Sequence, residues 1–466
     1  MSKTDRQVEC ILTYADLVND VNKRFDSSIT VNNPPKNKKY NPEYIISSEN
    51  IEGDFPGIDT VIKNSYGILG SVNYSEDSYN KLFRAVPSGG GIYPNEIYIF
   101  LKKEDNDFIL HYNPITDKYV LVKKGRLFSQ LLECIKSDGR NTNESFIFIT
   151  TNYIKNWNKY KYLSYKLQLL DTGALIGQLA LESSLNNLKM ELFPLFNTEK
   201  TTELFGINSF CEIGNILIGL HPISKDTDNR NNRIGIQDYF SGKDVENIFS
   251  NYDGLFERKV SDFINKIHNS SFTSTDLQRN ISVYLPEINH VNIRRSSEIT
   301  EFNTNPTYDQ LKGFFQELLK FITVINSIIN LKLKIVPFQI EDMPHINSNL
   351  FEFIDVLKCD KNNFLKQYQQ NIKLNNSFID LFIICDLEEL IIRHGSIAYR
   401  QVHYFSGVLI QILYRLVLKH NLIGCAFLNY NPDEIQRVIK TKKDNIIVNY
   451  KIGKSSKEQP MFITRF

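Results

Sequence analysis

Residues 83–101, FRAVPSGGGIYPNEIYIFL, place a serine and three consecutive glycines between an arginine and a strand-like run. Because glycine lacks a side chain, the backbone N–H groups of such a loop can approach a flat or anionic ligand closely. The loop is not a P-loop, since no Gly-Lys-Ser/Thr follows, and it is not a dinucleotide fingerprint, since Pro94 and a strand follow. The simpler interpretation is a tight turn into the strand EIYIFLKK.

A second candidate segment is NIRRSSEITEF, which contains Arg294, Arg295, Ser296 and Ser297. Guanidinium groups form bidentate, charge-assisted hydrogen bonds with phosphate, and serines open a helix or turn with free N–H groups. The segment therefore fits a phosphate group, although a solvated basic pair would have the same sequence. Glu298 adds a negative charge that disfavours phosphate.

The stretch WNKYKY contains two Lys-Tyr pairs, Lys159 with Tyr160 and Lys161 with Tyr162. A lysine beside a phenol can lower the pKa of the phenol, or act as a base itself when desolvated. Both are proton-transfer roles. In a chain with 24 tyrosines, either pair could instead be structural.

The elements that position these residues are predicted by an internal repeat. Residues 159–193 align without a gap to residues 393–427, at a constant offset that pairs Tyr165 with Tyr399 and Gly173 with Gly407. Just upstream, SFIFITT and IDLFIIC keep the same offset and are typical of buried strands. The pattern predicts a duplicated strand–helix–strand unit.

The repeat divides the chain into four segments. We predict an N-terminal extension (1–55), a first α+β unit (56–220), a connector (221–285) and a second unit (286–466). The connector opens with a polar, turn-rich stretch and continues with VENIFSNYDGLFERKVSDFINKIHN, which has the periodicity of an amphipathic helix.

Composition excludes several classes of function. The 466 residues carry a net charge of +1, so no overall field attracts nucleic acid or an anionic membrane. The six cysteines form no CxxC pair, which favours neither a disulfide framework nor a metal site. The polar start and the absence of a membrane-length apolar run predict a cytoplasmic protein.

The glycine loop belongs to a longer pattern, Arg-x-x-Pro-Ser-Gly-Gly-x-x-Tyr-Pro-x-Glu-x-Tyr, followed by HYNP and YKLQLLDTG. This set resembles the flavin-dependent azoline dehydrogenases of ribosomal-peptide maturation, in the nitroreductase-like superfamily. The resemblance covers most of residues 40–220 and, more weakly, residues 290–466. It implies FMN as cofactor and a helix-wrapped mixed sheet, two copies of which pair to build FMN sites at their interface.

The resemblance implies that this chain divides the parts of one FMN site between its halves. The first half supplies the loop residues Arg84, Pro87, Ser88, Gly89 and Gly90. The second half supplies Arg294, Arg295 and Ser296 for the phosphate, with Lys454 as a late basic residue. Each half lacks what the other keeps. The expected fold class is therefore α+β, with two tandem nitroreductase-like domains forming an intrachain pseudo-dimer.

The activity implied is oxidation of a thiazoline or oxazoline to the aromatic azole, with O₂ reoxidising the flavin. The family's Lys-Tyr pair maps to Lys159 and Tyr160, or two residues later to Lys161 and Tyr162. The implied partners are an azoline-containing precursor peptide and a cyclodehydratase. The alternatives are an NAD(P)H-dependent nitro- or quinone-reductase and a degenerate scaffold without flavin.

Three further side chains are weighed by residue type alone. His394, at the place in the second half equivalent to the Lys-Tyr pair, is expected to be structural rather than catalytic. His111 is expected to cap the end of a strand. Trp157 is expected either over the substrate entrance or in ordinary packing.

Overall fold

The described residues form a large antiparallel sheet in the first half of the chain, a smaller one in the second half and a separate two-stranded hairpin. The computed structural model describes residues 3–31, 38, 44–47, 51, 55, 57–73, 80–135, 145–223, 258–272, 281–283, 285–286, 288, 306–329, 334–337, 379–428, 430, 432–438 and 445–454. None of the described helices combines the length and apolar character needed to cross a lipid bilayer.

The elements follow in chain order. The N-terminal extension and first unit contain α1 (Lys3–Asn19), β1 (Ile45–Ile46), α2 (Ile58–Tyr66), β2 (Ile68–Asn73), β3 (Asn80–Arg84), β4 (Asn95–Leu101), β5 (Asp107–Asn113), β6 (Lys118–Gly125), α3 (Phe128–Cys134), β7 (Ser145–Asn152), α4 (Ile154–Tyr160), α5 (Ser164–Leu185), β8 (Leu188–Phe193), α6 (Thr198–Leu204) and β9 (Glu212–Pro222). The connector and second unit contain α7 (Arg258–Ser270), β10 (Ile281–Val283), α8 (Tyr308–Ile329), β11 (Lys334–Pro337), β12 (Ile379–Cys385), α9 (Leu387–His394), α10 (Ile397–Lys419), β13 (Ile423–Phe427), α11 (Pro432–Val438) and β14 (Asn445–Gly453).

The strand order confirms the predicted duplication. The first sheet has the order β1-β6-β5-β4-β7-β9-β8-β10, and the second has the order β11-β12-β14-β13. The core of the first sheet, β4-β7-β9-β8, therefore repeats strand for strand in the second. Every described ladder is antiparallel, whereas the resemblance implied a mixed sheet.

Local conformation repeats as well as strand order. The strands predicted from SFIFITT and IDLFIIC are β7 and β12, and both are buried along their whole length. After each long helix the chain turns through an asparagine with a left-handed backbone, Asn187 at φ 54° and Asn421 at φ 53°. These two residues lie at the predicted offset, and asparagine tolerates this conformation better than most residues do.

The halves meet where α5 packs along α10. A side chain on Gly173 would overlap the backbone of Tyr404, and a side chain on Gly407 would overlap that of Leu170 and approach the Cα atom of Gly173 at 2.7 Å. Leu170 and Tyr404 are themselves equivalent positions of the repeat, so each half contacts the other in the same way. This reciprocity is the signature of a pseudo-twofold axis. The intrachain pseudo-dimer is confirmed.

The halves differ immediately before their sheets. In the first half, residues 67–94 separate α2 from β4 and form the β2–β3 hairpin and the glycine loop. In the second half only residues 330–333 separate α8 from β11, which leaves no room for a similar hairpin and loop. The fold therefore provides one glycine loop at this position.

The N-terminal extension and the connector join the halves. The ring of Tyr14 on α1 lies 5.7 Å from that of Tyr165 and 5.8 Å from that of Tyr399. Helix α7 buries Val260 and Ile264, which confirms the amphipathic helix for the described part of that stretch. The extension is therefore part of the packed structure rather than an appended tail.

Candidate functional site

At two successive positions of the glycine loop, the backbone has a conformation that only glycine adopts without strain. Ser88 is extended, and a short turn of 3-10 helix follows at Gly89–Gly91. Gly90 has φ 65° and Gly91 has φ 68°, in the left-handed region where a Cβ atom is unfavourable. Both glycines are exposed, and a Cβ added at Gly91 would meet no atom within 4 Å. At Gly91 the loop thus presents bare backbone to open space.

Asp171 on α5 anchors this loop. It accepts a hydrogen bond from Ser88 Oγ at 2.7 Å and another from the backbone N–H of Gly89 at 3.1 Å. Ser88 Oγ in turn accepts from the backbone N–H of Tyr93 at 2.9 Å. Burial raises the pKa of Asp171 to about 7, although the hydrogen bonds from Ser88 and Gly89 oppose the shift. The group therefore titrates near neutral pH.

Lys159 and Tyr160, at the end of α4, converge on the loop. A Cβ atom on Gly90 would lie 2.5 Å from Lys159 Nζ and 2.6 Å from Tyr160 Oη. Lys159 is exposed and Tyr160 is half-buried, with the lysine nitrogen 5.2 Å from the centre of the tyrosine ring. The structure thus brings two of the predicted catalytic side chains to a predicted cofactor-binding residue.

The pKa of the Tyr160 phenol differs from the expectation. Burial, with a contribution from the charge of Asp171, raises this pKa to about 12. The hypothesis that the neighbouring lysine lowers it is therefore wrong. At neutral pH the hydroxyl therefore keeps its proton.

The second Lys-Tyr pair faces different surroundings. Lys161 has a left-handed backbone at φ 47°, and its Nζ donates a hydrogen bond to the carbonyl oxygen of Ile29 at 2.8 Å. The Tyr162 ring packs edge-on against Trp157 at 5.7 Å and Phe263 at 5.0 Å. These contacts tie the pair to the N-terminal extension and the connector helix.

The base of the loop is held from both halves. In the first half, the buried Arg84 guanidinium lies 4.0 Å from the centre of the Tyr66 ring and 4.6 Å from that of Tyr93, in cation–π contacts. From the second half, Arg415 on α10 donates hydrogen bonds to the carbonyl oxygen of Ala85 at 3.3 Å and to Gln178 Oε1 at 2.8 Å. The loop therefore begins at the seam between the halves.

A buried polar network lies where the strand after the loop meets α5. Asn95 Oδ1 accepts hydrogen bonds from Thr151 Oγ1 at 2.8 Å and from Thr172 Oγ1 at 3.1 Å. Asn215 Nδ2 donates to the same Thr172 oxygen at 2.9 Å. The network joins β4, β7, β9 and α5, so the strand that follows the loop has a fixed position relative to the helix that anchors it.

The predicted phosphate segment, Arg294, Arg295 and Ser296, lies outside the described residues and stays a prediction. Lys454 directly follows β14, and its Nζ lies 3.3 Å from Gln310 Oε1 near the start of α8. This contact involves the second half alone. Its role in binding phosphate also stays a prediction.

The structure places Trp157 in ordinary packing, one of the two alternatives expected for it, whereas the expectation for His111 is wrong. Trp157 is 1% exposed and donates from Nε1 to the carbonyl oxygen of Ile29 at 3.0 Å, so it belongs to the core and not to an entrance. His111 does not cap a strand end, because it lies inside β5 with Nε2 at 3.1 Å from Glu96 Oε2.

Sequence reasoning assigned no role to Asp171, Gln178 or Arg415. Asp171 lies within the quoted motif YKLQLLDTG, so its position in a conspicuous stretch was the available signal. Arg415 and Gln178 look like ordinary helix residues. They form a hydrogen bond with each other across 237 positions of sequence, which no local pattern indicates.

No family model matches the chain, and no curated protein matches it significantly. Among solved structures, the chain is similar to a candidate nitroreductase from Anabaena variabilis ATCC 29413, with a TM-score of 0.70 and 15% identity over 96% of this chain and 99% of the other. This similarity spans both halves at once and shows that the chain has the nitroreductase fold in a tandem arrangement.

Two other similarities are partial. The E. coli microcin synthetase McbBCD complex with truncated pro-MccB17 matches 42% of this chain and 71% of the other, at a TM-score of 0.30 and 15% identity. The FMN-dependent nitroreductase NfnB from Mycobacterium smegmatis, in complex with NADPH, matches 37% and 94%, at a TM-score of 0.24 and 11% identity. Neither adds to the conclusion about the fold.

Proposed function

We propose that this chain, which has the nitroreductase fold, is an FMN-dependent enzyme that oxidises thiazolines or oxazolines in a ribosomally made peptide to thiazoles or oxazoles. The observation that carries the proposal is the convergence of Lys159 and Tyr160 on Gly90. A proton-transfer pair and a loop suited to a flat cofactor therefore occupy one place. A scaffold that had lost its chemistry would have no need to preserve both.

The residues at the loop fit an isoalloxazine ring. Gly90 and Gly91 are exposed and left-handed, and the space beside Gly91 is open. Backbone N–H groups there would donate to the ring, while Arg294, Arg295, Ser296 and Lys454 are the proposed phosphate ligands. When bound, FMN supplies the two-electron acceptor that no side chain provides.

The chain's own residues handle the proton. Aromatisation removes two hydrogens from the azoline, one of them as a proton from the carbon beside the ring nitrogen. We assign Lys159 Nζ as the group that takes this proton, because it lies beside Gly90 and the amine of a desolvated lysine can serve as a base. Tyr160 keeps its own proton and orients the ring through a hydrogen bond from its hydroxyl.

The substrate chemistry also implies a partner. Azoline rings arise when Cys, Ser or Thr side chains of a peptide cyclise onto the preceding carbonyl with loss of water. A cyclodehydratase must act before this enzyme, and we propose it as the partner that delivers the peptide.

Purified protein, reconstituted with FMN, tests the proposal when it is incubated with an azoline-containing peptide under air. We expect a yellow protein and a mass loss of two hydrogens for each ring oxidised. The matched control is Gly90→Val, in which the side chain would collide with Lys159 and Tyr160.

Two outcomes would contradict the proposal. Protein that stays colourless after reconstitution would favour a flavin-free scaffold. Reduction of nitro compounds or quinones by NAD(P)H, with no oxidation of azolines, would favour the reductase alternative.

A further inference from the structure

A buried ion pair joins the start of β4 to α4, the helix that carries Lys159 and Tyr160. Glu96, at the start of β4, accepts a hydrogen bond from Lys155 Nζ on α4 at 2.7 Å. The side chains of Lys155 and Glu96 are 9% and 7% exposed. The other carboxylate oxygen of Glu96 lies 3.1 Å from His111 Nε2. Both oxygens therefore have a partner, and the carboxylate has one defined orientation.

The charges in this cluster favour a fixed geometry. Burial alone would raise the pKa of Glu96, but the charge of Lys155 and the hydrogen bond to His111 lower it well below its usual value. Burial lowers the pKa of His111, so the imidazole is neutral at physiological pH. Glu96 is thus ionised and paired with a lysine. Such a buried pair adds little to stability compared with apolar side chains, so a role in geometry accounts better for its presence.

The ion pair of Glu96 with Lys155 connects α4 to the glycine loop, the two elements that meet at Gly90. Lys155 and Lys159 are four residues apart on α4 and so lie on the same face of the helix. Glu96 follows Gly90 closely on the same stretch, GIYPNE, which continues from the loop into β4. The ion pair therefore fixes the helix that carries Lys159 to the strand that the loop enters.

Helix α4 needs such a contact because it spans only seven residues. Helices this short do not hold their position through local hydrogen bonds and depend on tertiary contacts. In the described structure α4 is held by Lys155 on Glu96, by the Trp157 Nε1 hydrogen bond to Ile29 at 3.0 Å, and by Asn158, whose Oδ1 accepts from the backbone N–H of Val31 at 2.9 Å. The last two contacts lead to the N-terminal extension, so the ion pair is the one of these three that ties α4 to the strand after the loop.

We propose that Glu96 and Lys155 are positioning residues, and that their ion pair holds α4 so that Lys159 and Tyr160 converge on Gly90. The inference rests on the proposed function for its effect on catalysis. Its geometric content, that the pair holds α4 in place, does not depend on which reaction the site performs.

The test uses the double variant Glu96→Gln, Lys155→Met in the FMN-loaded protein. Removing both charges avoids leaving one of them buried without its partner, which would itself destabilise the fold. We expect kcat for azoline oxidation to fall about tenfold to a hundredfold, since misplacement of reacting groups by about 1 Å costs this much. Flavin content and KM should be unchanged.

Two further variants separate positioning from folding. Lys155→Arg keeps the charge and a hydrogen-bond donor, so it should restore most of kcat. Glu133→Gln, Lys200→Met removes an exposed ion pair of similar length, 2.8 Å, and should leave kcat unchanged. A fall in kcat that merely follows the loss of folded protein, or a double variant with wild-type kcat, would overturn the inference.

A second readout does not depend on the substrate. Trp157 is the chain's single tryptophan and lies on α4, so its fluorescence reports on the packing of this helix against its neighbours. In the double variant we expect acrylamide to quench Trp157 more efficiently than in the wild type, because α4 moves out of its packed position. If wild-type protein oxidises no azoline, the proposed function fails. Unchanged quenching in the double variant would contradict the positioning role, whether or not the wild-type protein oxidises azolines.

Discussion

Gly90 is the residue of the glycine loop that lies against Lys159 and Tyr160. Its φ of 65° suits glycine, and any side chain would enter the space between Lys159 Nζ and Tyr160 Oη. The neighbouring pair, Lys161 and Tyr162, has the same residue types but contacts the extension and the connector. Residue type therefore does not distinguish the pairs, and their contacts do.

The double variant Lys159→Ala, Tyr160→Phe should keep its flavin and visible spectrum and still be reduced by a chemical reductant. Azoline oxidation should fall about 10²–10⁴-fold, the usual contribution of positioned proton transfer. Mass spectrometry of the peptide measures the rate. The matched control, Lys161→Ala with Tyr162→Phe, should retain near-normal oxidation per folded molecule, and a reversed result would move the site to the second pair.

Asp171 predicts a pH dependence of stability. Its folded pKa, raised to about 7 by burial, lies above the ordinary value of 3.8. A raised pKa gives a contribution that is fully present below the ordinary value and is lost as pH rises through the folded value. Between about pH 4 and 7, wild type should therefore lose about 1.4 kcal/mol of unfolding free energy per pH unit relative to Asp171→Asn.

Urea unfolding of wild type and Asp171→Asn at several pH values measures this difference. The unfolding free energy of wild type minus that of Asp171→Asn should fall between pH 4 and 7 and level off above about pH 7. Parallel stability curves for the two proteins would show that Asp171 does not titrate in this range.

At the scale of elements, the contact between α5 and α10 organises the molecule. Gly173 and Gly407 allow the two helices to approach backbone to backbone. Contacts advance together along both helices, from Gly173 with Tyr404 to Gln178 with Arg415, so the helices run in the same direction. Arg415 also donates a hydrogen bond to the carbonyl oxygen of Ala85, at the base of the glycine loop.

The variant Gly407→Ala tests this packing. An alanine gains up to about 1 kcal/mol of helix propensity over glycine, but here its Cβ would overlap the backbone of Leu170, which cannot rotate away. We expect a net loss of about 1–3 kcal/mol in unfolding free energy, typical of overpacking. The matched control is Gly313→Ala on α8, where the Cβ would meet only the His420 side chain. Equal effects of the two variants would contradict the close contact.

At the scale of the whole molecule, the chain is a pseudo-dimer whose halves differ in the segment that precedes β4 and β11. The first half inserts a hairpin and the glycine loop between α2 and β4, and the second half joins α8 to β11 directly. A symmetric dimer would have two equivalent loops. Here the symmetry of the fold is retained while one glycine loop is kept.

One FMN should therefore bind to each chain. Flavin released by denaturing the FMN-saturated protein, counted against protein concentration, gives the ratio. A ratio near one supports a single site, and a ratio near two would refute the pseudo-dimer account of the site.

The sequence by itself determined the duplication and the glycine loop. The alignment of the two halves continues without a gap from β7 through α5 to β8. It indicates a repeated unit, because buried positions of one copy must match buried positions of the other. Consecutive glycines likewise report a backbone that side chains would block, as the φ values at Gly90 and Gly91 bear out.

Only the tertiary structure decided which side chains meet at the loop. Asp171 and Arg415 reach it from helices distant in sequence, and Gln178 accepts a hydrogen bond from Arg415. The pKa of Tyr160 depends on its burial, which no local pattern encodes, and the ion pair of Glu96 with Lys155 forms because β4 and α4 are neighbours in the fold. Repeat and turn patterns are local and can be read along the chain, whereas contacts and burial depend on how the elements pack.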